Sequence, residues 1–274
     1  MLKRRLRNYD INNIKHPEDS EILDGLNKIP LFKGFLNNTI VPIREAYNEV
    51  ESYGDGWNVT PQSSPQIYRK LQEACDILGI KKMPKLTSEW FYAPSSFSAG
   101  NEKFRIVISS GAIDLFDDEE LIFFIGHELG HYICGHKPYQ MLLEALYMPF
   151  IDNASVKVWS TIVKVPLLDW YRKSDFTADR VGLLCCQDID VALRVMIKRA
   201  GLPKKYYNQI NIKAFLQQAI DFETQHIGNL DKIAKALSLR SCEFPWMVQR
   251  AIRLYEWYHS GDYQRFINKN KQII

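Results

Sequence analysis

The chain has 274 residues, 46% of them hydrophobic, which is enough to bury a core in one domain or slightly more. Its 35 basic and 32 acidic residues leave a formal net charge of +3, a balance too mild to indicate nucleic acid or an acidic partner. The most apolar stretch, residues 145–168, is interrupted by charged residues and a proline, so we expect no integral membrane segment.

The basic start of the chain, residues 3–7, is followed by polar residues instead of the apolar core of a signal peptide. A weak peripheral contact with anionic lipid is one interpretation of this start, and a solvated basic segment is the one we favour. The five cysteines are odd in number and lack Cys-x-x-Cys spacing, which favours buried free thiols over disulfides or a zinc–thiolate site. We therefore expect a soluble, cytoplasmic protein.

Residues 1–58 are predicted to form an N-terminal helical segment, because 19–28 and 41–53 carry helical patterns. Glycine- and proline-rich breakers follow at 54–56 and 61–65. This change in composition places a domain boundary near residue 58.

The following residues, 59–267, are predicted to form the main domain, and 268–274 a C-terminal tail. A helix is expected at 66–78, and a short strand follows the turn at Gly100. The strand alternates between two faces, with Phe104, Ile106 and Ile108 on one and Arg105, Val107 and Ser109 on the other. Because it directly precedes the next helix, we expect it at the edge of a small antiparallel sheet, where it can pair with an extended peptide.

The next helix carries the most informative motif of the chain. Asp117 and Glu120 form a predicted capping box at its start, and the apolar run that follows predicts burial. His127 and His131 are four residues apart, so they share one helix face and can reach one metal ion. Glu128 follows the first histidine, where it can take a proton from a water activated by that metal.

A catalytic zinc site needs a third protein ligand. Asp175 and Asp179 are four residues apart on a predicted helix at 167–187 and project from the same face. A solvated acidic edge paired with Arg172 and Arg180 is the alternative interpretation, but the apolar residues that follow favour a core-facing helix and a metal site. Further helices are predicted at 190–200, 213–226 and 245–259.

Together these motifs resemble the HtpX and CAAX prenyl protease family of gluzincin metallopeptidases, over residues 59–253. The similar segments are Ser96-Phe97-Ser98-Ala99-Gly100, Ile108-Ser109-Ser110-Gly111, Asp118-Glu119-Glu120-Leu121, His127-Glu128-Leu129-Gly130-His131, Gly135-His136 and Ala178-Asp179. In the first of these, serines replace the first two residues of the family's Asn-Ala-Phe-x-x-Gly pattern. Asp175 also replaces the family's glutamate, and Phe244-Pro245 stands where relatives often have His-Pro.

The resemblance implies that His127, His131 and Asp175 bind one zinc ion and that Glu128 is catalytic. Aspartate is one methylene shorter than glutamate, so either the two helices lie closer together or the metal site is looser. Asp179 is then expected to accept a hydrogen bond from the far ring nitrogen of a ligand histidine.

Three further residues have weaker assignments. His136 is five residues after His131, so it points away from the ligand face and is interpreted as a structural residue or as a hydrogen-bond partner of a ligand. Tyr171 and Arg250 are candidates for stabilising the tetrahedral oxyanion, which needs a donor near the metal.

The predicted fold is α+β and mostly α, a zincin-like metallopeptidase with a small antiparallel sheet and a buried His-Glu-x-x-His helix. The predicted function is zinc-dependent endopeptidase activity on extended or unfolded polypeptides, with no nucleic-acid partner. One alternative is a metal-binding scaffold without turnover, against which the intact Glu128 argues. Another is a membrane-associated quality-control protease that docks on lipid through the basic start and residues 141–168.

Overall fold

Helices dominate the computed structural model, which describes residues 3–101, 103–147, 154–225 and 246–271. The helices are α1 (Pro17–Asn27), α2 (Phe32–Phe35), α3 (Val41–Asp55), α4 (Pro65–Leu78), α5 (Ser110–Leu115), α6 (Asp118–Ile133), α7 (Lys137–Tyr147), α8 (Ala154–Cys186), α9 (Ile189–Arg199), α10 (Ile212–Gln225), α11 (Met247–His259) and α12 (Asp262–Asn270). A π-helical turn, Leu36–Ile40, joins α2 to α3. The mostly helical composition agrees with the sequence prediction.

One sheet of four strands is mixed, not purely antiparallel as predicted. The strands are β1 (Trp57–Val59), β2 (Lys85–Glu89), β3 (Ser96–Ala99) and β4 (Arg105–Ser109), in the order β1-β2-β4-β3. The outer pairs, β1 with β2 and β3 with β4, are antiparallel, whereas β2 and β4 are parallel. The parallel pair arises because the chain passes from β2 to the outer strand β3 before it returns to β4.

Strand β4 was predicted to be the free edge of the sheet, and this prediction is wrong. Its residues pair with Lys85–Glu89 on one side and with Ser96–Ala99 on the other. The run Phe104, Arg105, Ile106, Val107, Ile108 and Ser109 is buried on both faces. A peptide therefore cannot pair with β4, and the strand that lies outermost beside it is β3.

Helix α6 begins and lies as predicted. The Asp117 side chain accepts hydrogen bonds from the backbone of Glu119 and Glu120, and the Glu120 carboxylate accepts one from the Asp117 backbone in return. This reciprocal cap satisfies backbone donors that a helix start otherwise leaves unpaired. From Glu120 to His131 every residue of the helix is buried.

Helices α6 and α8 pack closely because small residues face each other. A Cβ atom built on Gly130 would lie 2.9 Å from the Ala178 Cα, and one on Gly126 would lie 2.7 Å from the Cys185 Sγ. Neither position therefore has room for a side chain unless the helices separate. The close contact brings the α6 histidines next to the α8 aspartates.

The remaining predictions mostly agree with the structure. The helix predicted at 167–187 is the second part of α8, which begins earlier and continues through Pro166. The predicted tail begins inside α12, and Lys271 pairs with Leu6. Four cysteines are buried free thiols, namely Cys75, Cys134, Cys185 and Cys186, whereas Cys242 lies outside the described residues.

Among the described ranges, no helix has both the length and the apolar composition that crossing a bilayer requires.

Candidate metal centre

Three side chains from two helices face one point in the core. Asp175 Oδ1 of α8 lies 3.8 Å from His127 Nε2 and 3.4 Å from His131 Nε2 of α6. One ligand atom from each residue lies within 4.8 Å of the others, and all three residues are buried. Zinc bonds of about 2.0–2.1 Å in a tetrahedral site separate ligand atoms by roughly 3.3–3.5 Å. These two nitrogens and one oxygen therefore fit a single ion without a large rearrangement.

The close packing of α6 and α8 explains how aspartate reaches this point. Gly130 lies between the two histidines in the chain. Because it has no side chain, the backbone of α6 can approach Ala178 of α8 closely. The shorter side chain of Asp175 could be accommodated by closer helices or by a looser metal site, and this geometry corresponds to closer helices.

The first candidate ligand, His127, contacts a carboxylate through the ring nitrogen that faces away from the other ligands. Its Nδ1 lies 2.9 Å from Asp179 Oδ1, which leaves Nε2 directed towards Asp175. Burial works to raise the pKa of Asp179, but Arg250 and the hydrogen bonds to Arg250 and His127 lower it below its ordinary value. The hydrogen bond predicted between Asp179 and one of the two motif histidines is therefore present in the structure, at His127.

Arg250 lies in the same buried cluster, between the two aspartates. It donates from Nε and Nη2 to the two Asp179 oxygens at 2.8 and 2.6 Å, and its Nη1 lies 3.3 Å from Asp175 Oδ2. Burial works to raise the pKa of Asp175 too, but the positive charge of Arg250 and the histidines lower it. Arg250 therefore favours the ionised form of both carboxylates, and its role as an oxyanion donor stays a prediction.

The second candidate ligand, His131, is contacted by another histidine. His131 Nδ1 lies 3.0 Å from His136 Nδ1, and His136 Nε2 lies 3.1 Å from Asp19 Oδ2. Asp19 is fully buried and also accepts hydrogen bonds from Trp170 Nε1 at 2.7 Å and Thr177 Oγ1 at 2.6 Å. Sequence reasoning identified His136 as a possible partner of a ligand but missed Asp19, because no local pattern links it to residues more than 100 positions away.

The pKa values of His131 and Asp19 are both lowered, but for different reasons. Burial lowers the pKa of His131 to about 4, so the ring is neutral near pH 7, which is the form that binds metal. Burial works to raise the pKa of Asp19, but His136 and the hydrogen bonds from Thr177 and Trp170 lower it well below its ordinary value.

Glu128 is buried beside the ligand group without belonging to it. Its Oε1 accepts a hydrogen bond of 2.7 Å from Ser96 Oγ, on the first residue of β3. Burial works to raise the pKa of Glu128, but the two neighbouring histidines and the Ser96 hydrogen bond leave it below its ordinary value. Sequence reasoning noted Ser96 only as a departure from the family pattern and did not predict this contact.

The structure does not place the side chain of Tyr171 or the Phe244-Pro245 pair among the candidate ligands. Tyr171 lies one turn before Asp175 on α8 and packs against an apolar cluster around Trp170. Its contact with an oxyanion stays a prediction. Phe244-Pro245, the second departure from the family pattern, lies outside the described residues.

Comparison with known proteins gives the family. Residues 61–218, more than half of the chain, match the model of peptidase family M48. The chain is also 26% identical over 267 residues to the plastoglobule-localized metallopeptidase 48, chloroplastic, of Arabidopsis thaliana, covering 96% of this chain and 77% of that protein. No solved structure shows a significant match. The chain belongs to peptidase family M48 and is a metallopeptidase.

Proposed function

We propose that this metallopeptidase is a zinc-dependent endopeptidase, related to the HtpX and CAAX prenyl proteases, that cleaves extended or unfolded polypeptides. One observation carries the proposal. The ligand group of two histidines and an aspartate lies next to a buried carboxylate, Glu128, that is not itself a ligand. A purely structural metal site needs no such base, whereas a hydrolase does.

His127, His131 and Asp175 would hold the zinc ion, which would supply Lewis-acid activation of water and of a peptide carbonyl. Glu128 accepts the proton of the attacking water and returns it to the leaving nitrogen. Its lowered pKa keeps it ionised and able to accept that proton at neutral pH. The Ser96 hydroxyl orients the Glu128 carboxylate through the hydrogen bond from β3.

The substrate adds to β3, which replaces the strand predicted from the sequence. Among the described strands, β1 and β3 are the two edges of the sheet, and β3 is the edge strand that pairs with β4. It begins at Ser96, so a peptide lying along it passes the base directly. An added strand must be extended, and backbone pairing reads little of its sequence. We therefore expect extended or unfolded chains as substrates, with loose sequence preference.

Exposed aromatic side chains lie in the segment that leads into β3. Trp90, Phe91 and Tyr92 are exposed, although hydrogen bonds from Gly111 N to Phe91 O and from Ser109 Oγ to Ala93 O hold the segment's backbone in place. A fixed aromatic surface next to the substrate strand favours apolar substrate side chains at one end of the cleft.

Location and further partners stay predictions. The relative from Arabidopsis thaliana is named for a chloroplast plastoglobule, whereas the cysteine usage of this chain predicted the cytoplasm. The exposed aromatic residues 90–92 are also compatible with the alternative of a protease that docks on lipid. Part of the segment predicted to do so, residues 148–153, lies outside the described residues.

Substitution of the base tests the proposal. Glu128→Gln preserves the size of the side chain and leaves the ligands in place, so we expect unchanged zinc content and thermal stability. We expect hydrolysis of an unfolded substrate such as casein to fall about 10²–10⁴-fold, because glutamine cannot accept the proton. Glu119→Gln, the same change at an exposed position of α6, should keep full activity. Normal turnover by Glu128→Gln would remove this residue from the mechanism.

A further inference from the structure

We propose that Asp19 is a positioning residue of the metal centre, which acts through His136 to hold the ligand His131 in its metal-binding form. The inference rests on the proposed role of His131 as a ligand. Asp19 lies in α1, before residues 61–218 that match the family model, and none of the sequence motifs included it.

The direction of the hydrogen bonds that link Asp19, His136 and His131 follows from which of these groups can donate. A carboxylate can only accept, so His136 donates from Nε2 to Asp19 across 3.1 Å. In its neutral form His136 has one N–H, and its Nδ1 is then left as an acceptor. His131 Nδ1, 3.0 Å away, is therefore the donor and carries the ring proton. His131 Nε2 then keeps its lone pair directed towards Asp175, as a metal ligand requires.

A competing partner makes this arrangement depend on Asp19. Gln140 Oε1 accepts from Lys137 Nζ at 2.8 Å, which turns its amide Nε2 to His131 Nδ1 at 3.1 Å. An amide donor at that nitrogen favours the opposite tautomer, with the proton on Nε2, where it blocks metal binding. The charge on Asp19 holds the His136 proton on Nε2, so that His136 Nδ1 accepts from His131 Nδ1. Asp19 therefore opposes the tautomer of His131 that carries its proton on Nε2.

The surroundings hold Asp19 itself in one orientation. Trp170 and Thr177, which donate to its two oxygens, both belong to α8, the helix that carries Asp175. The carboxylate is fully buried, and burial of a charge is unfavourable unless hydrogen-bond partners and opposite charges compensate it. Asp19 thus parallels Asp179: one aspartate orients His127 directly, and the other orients His131 through an intervening histidine.

Metal binding by the full chain tests the inference without relying on activity. We expect Asp19→Asn, which keeps the shape but not the charge, to weaken Zn²⁺ affinity by about 10–100-fold in a chelator competition. The visible spectrum of bound Co²⁺ should change as well, because the geometry at His131 changes. Asp24→Asn, the same substitution at an exposed position of α1, should leave both unchanged. Asp19→Glu should recover part of the affinity.

A double-mutant cycle separates positioning from general stability. Because Asp19 acts through His136, Asp19→Asn should cause no further loss of Zn²⁺ affinity when added to His136→Gln. Additive losses, or a lower melting temperature of the metal-free protein with unchanged Zn²⁺ affinity, would overturn the proposal. If Asp19→Asn does not fold, His136→Gln removes the ring through which Asp19 acts, and unchanged Zn²⁺ affinity in that variant would overturn the proposal equally.

The outcomes also separate this inference from the proposed function. If the unsubstituted chain binds no Zn²⁺, the zinc site itself is wrong. If it binds one Zn²⁺ per chain and Asp19→Asn binds it equally tightly, only the role of Asp19 is wrong.

Discussion

Asp175 is the residue at which this chain departs most informatively from the family pattern. Its carboxylate reaches the two histidines because Gly130 and Ala178 let the helices approach closely. A longer side chain at 175 has correspondingly less room.

The third ligand can be tested by two substitutions at this position. Asp175→Ala should abolish stoichiometric zinc binding, and Asp175→Glu should bind zinc more weakly than the unsubstituted chain but better than the alanine variant, because the extra methylene overfills the site. Asp179→Ala should lose only about 10–100-fold in affinity. Asp169→Ala, at a half-exposed position of the same helix, is the control. Stoichiometric zinc in Asp175→Ala would show that another residue is the third ligand.

His16, at the start of α1, predicts a pH dependence of stability. The residue is largely buried, its Nδ1 has no hydrogen-bond partner among the described residues, and burial together with Arg180 lowers its pKa to about 4. In the unfolded chain the pKa is about 6.5, so between these values the unfolded state binds more protons. The stability that neutral His16 contributes is therefore present above pH 6.5 and lost as the pH falls towards 4.

Denaturant unfolding of the metal-free protein at pH 7 and pH 4.5 measures this contribution. After allowance for solvent screening, we expect His16→Gln to reduce the stability lost over this interval by about 2 kcal/mol. An equal loss in the variant and in the unsubstituted protein would show that His16 does not cause it.

At the scale of elements, the local features were predictable and the pairing of strands was not. The capping box of α6 and the spacing of His127 and His131 are encoded within one helix, so the sequence alone predicts them. The place of β4 in the sheet depends on β3, a four-residue strand whose serines give no clear strand signal. The contact between Ser96 and Glu128 was missed for the same reason.

The register of β3 predicts which of its backbone groups meet the substrate. Ser109 N donates to Ser95 O, so Ser95 points its backbone groups towards β4. In an antiparallel pair the direction alternates, and the backbone groups of Ser96 and Ser98 therefore point away from β4. Ser98 is buried, whereas Ser96 is partly exposed, so an added peptide would pair with the backbone groups of Ser96.

A proline at Ser96 tests substrate pairing without removing a hydrogen bond between β3 and β4. Ser96→Ala keeps the N–H and is the matched control for loss of the hydroxyl that contacts Glu128. Ser96→Pro also deletes one outward N–H, and we expect its KM for a long peptide to be roughly fivefold higher than that of Ser96→Ala, the equivalent of one hydrogen bond of about 1 kcal/mol. Zinc content should be unchanged. A folded Ser96→Pro variant with the KM of Ser96→Ala contradicts pairing at β3.

At the scale of the whole molecule, residues outside the predicted main domain, 59–267, contribute to the candidate metal centre. The boundary predicted between residues 58 and 59 falls inside β1, and Asp19 of the predicted N-terminal segment reaches the partner of His131. Such contacts join residues more than 100 positions apart, and a single sequence contains no periodicity that reveals them. The division into 1–58, 59–267 and 268–274 stays a prediction.

Zinc titration into the full chain after removal of metal by a chelator measures the metal dependence of hydrolysis most directly. Bound zinc and casein hydrolysis are followed in the same samples, with Glu128→Gln in parallel. We expect no hydrolysis by the metal-free protein, then hydrolysis that rises with bound zinc to one ion per chain, and zinc binding without hydrolysis in Glu128→Gln. Hydrolysis by the metal-free protein, or hydrolysis that does not follow bound zinc, would contradict a zinc-dependent endopeptidase built on His127, Glu128, His131 and Asp175.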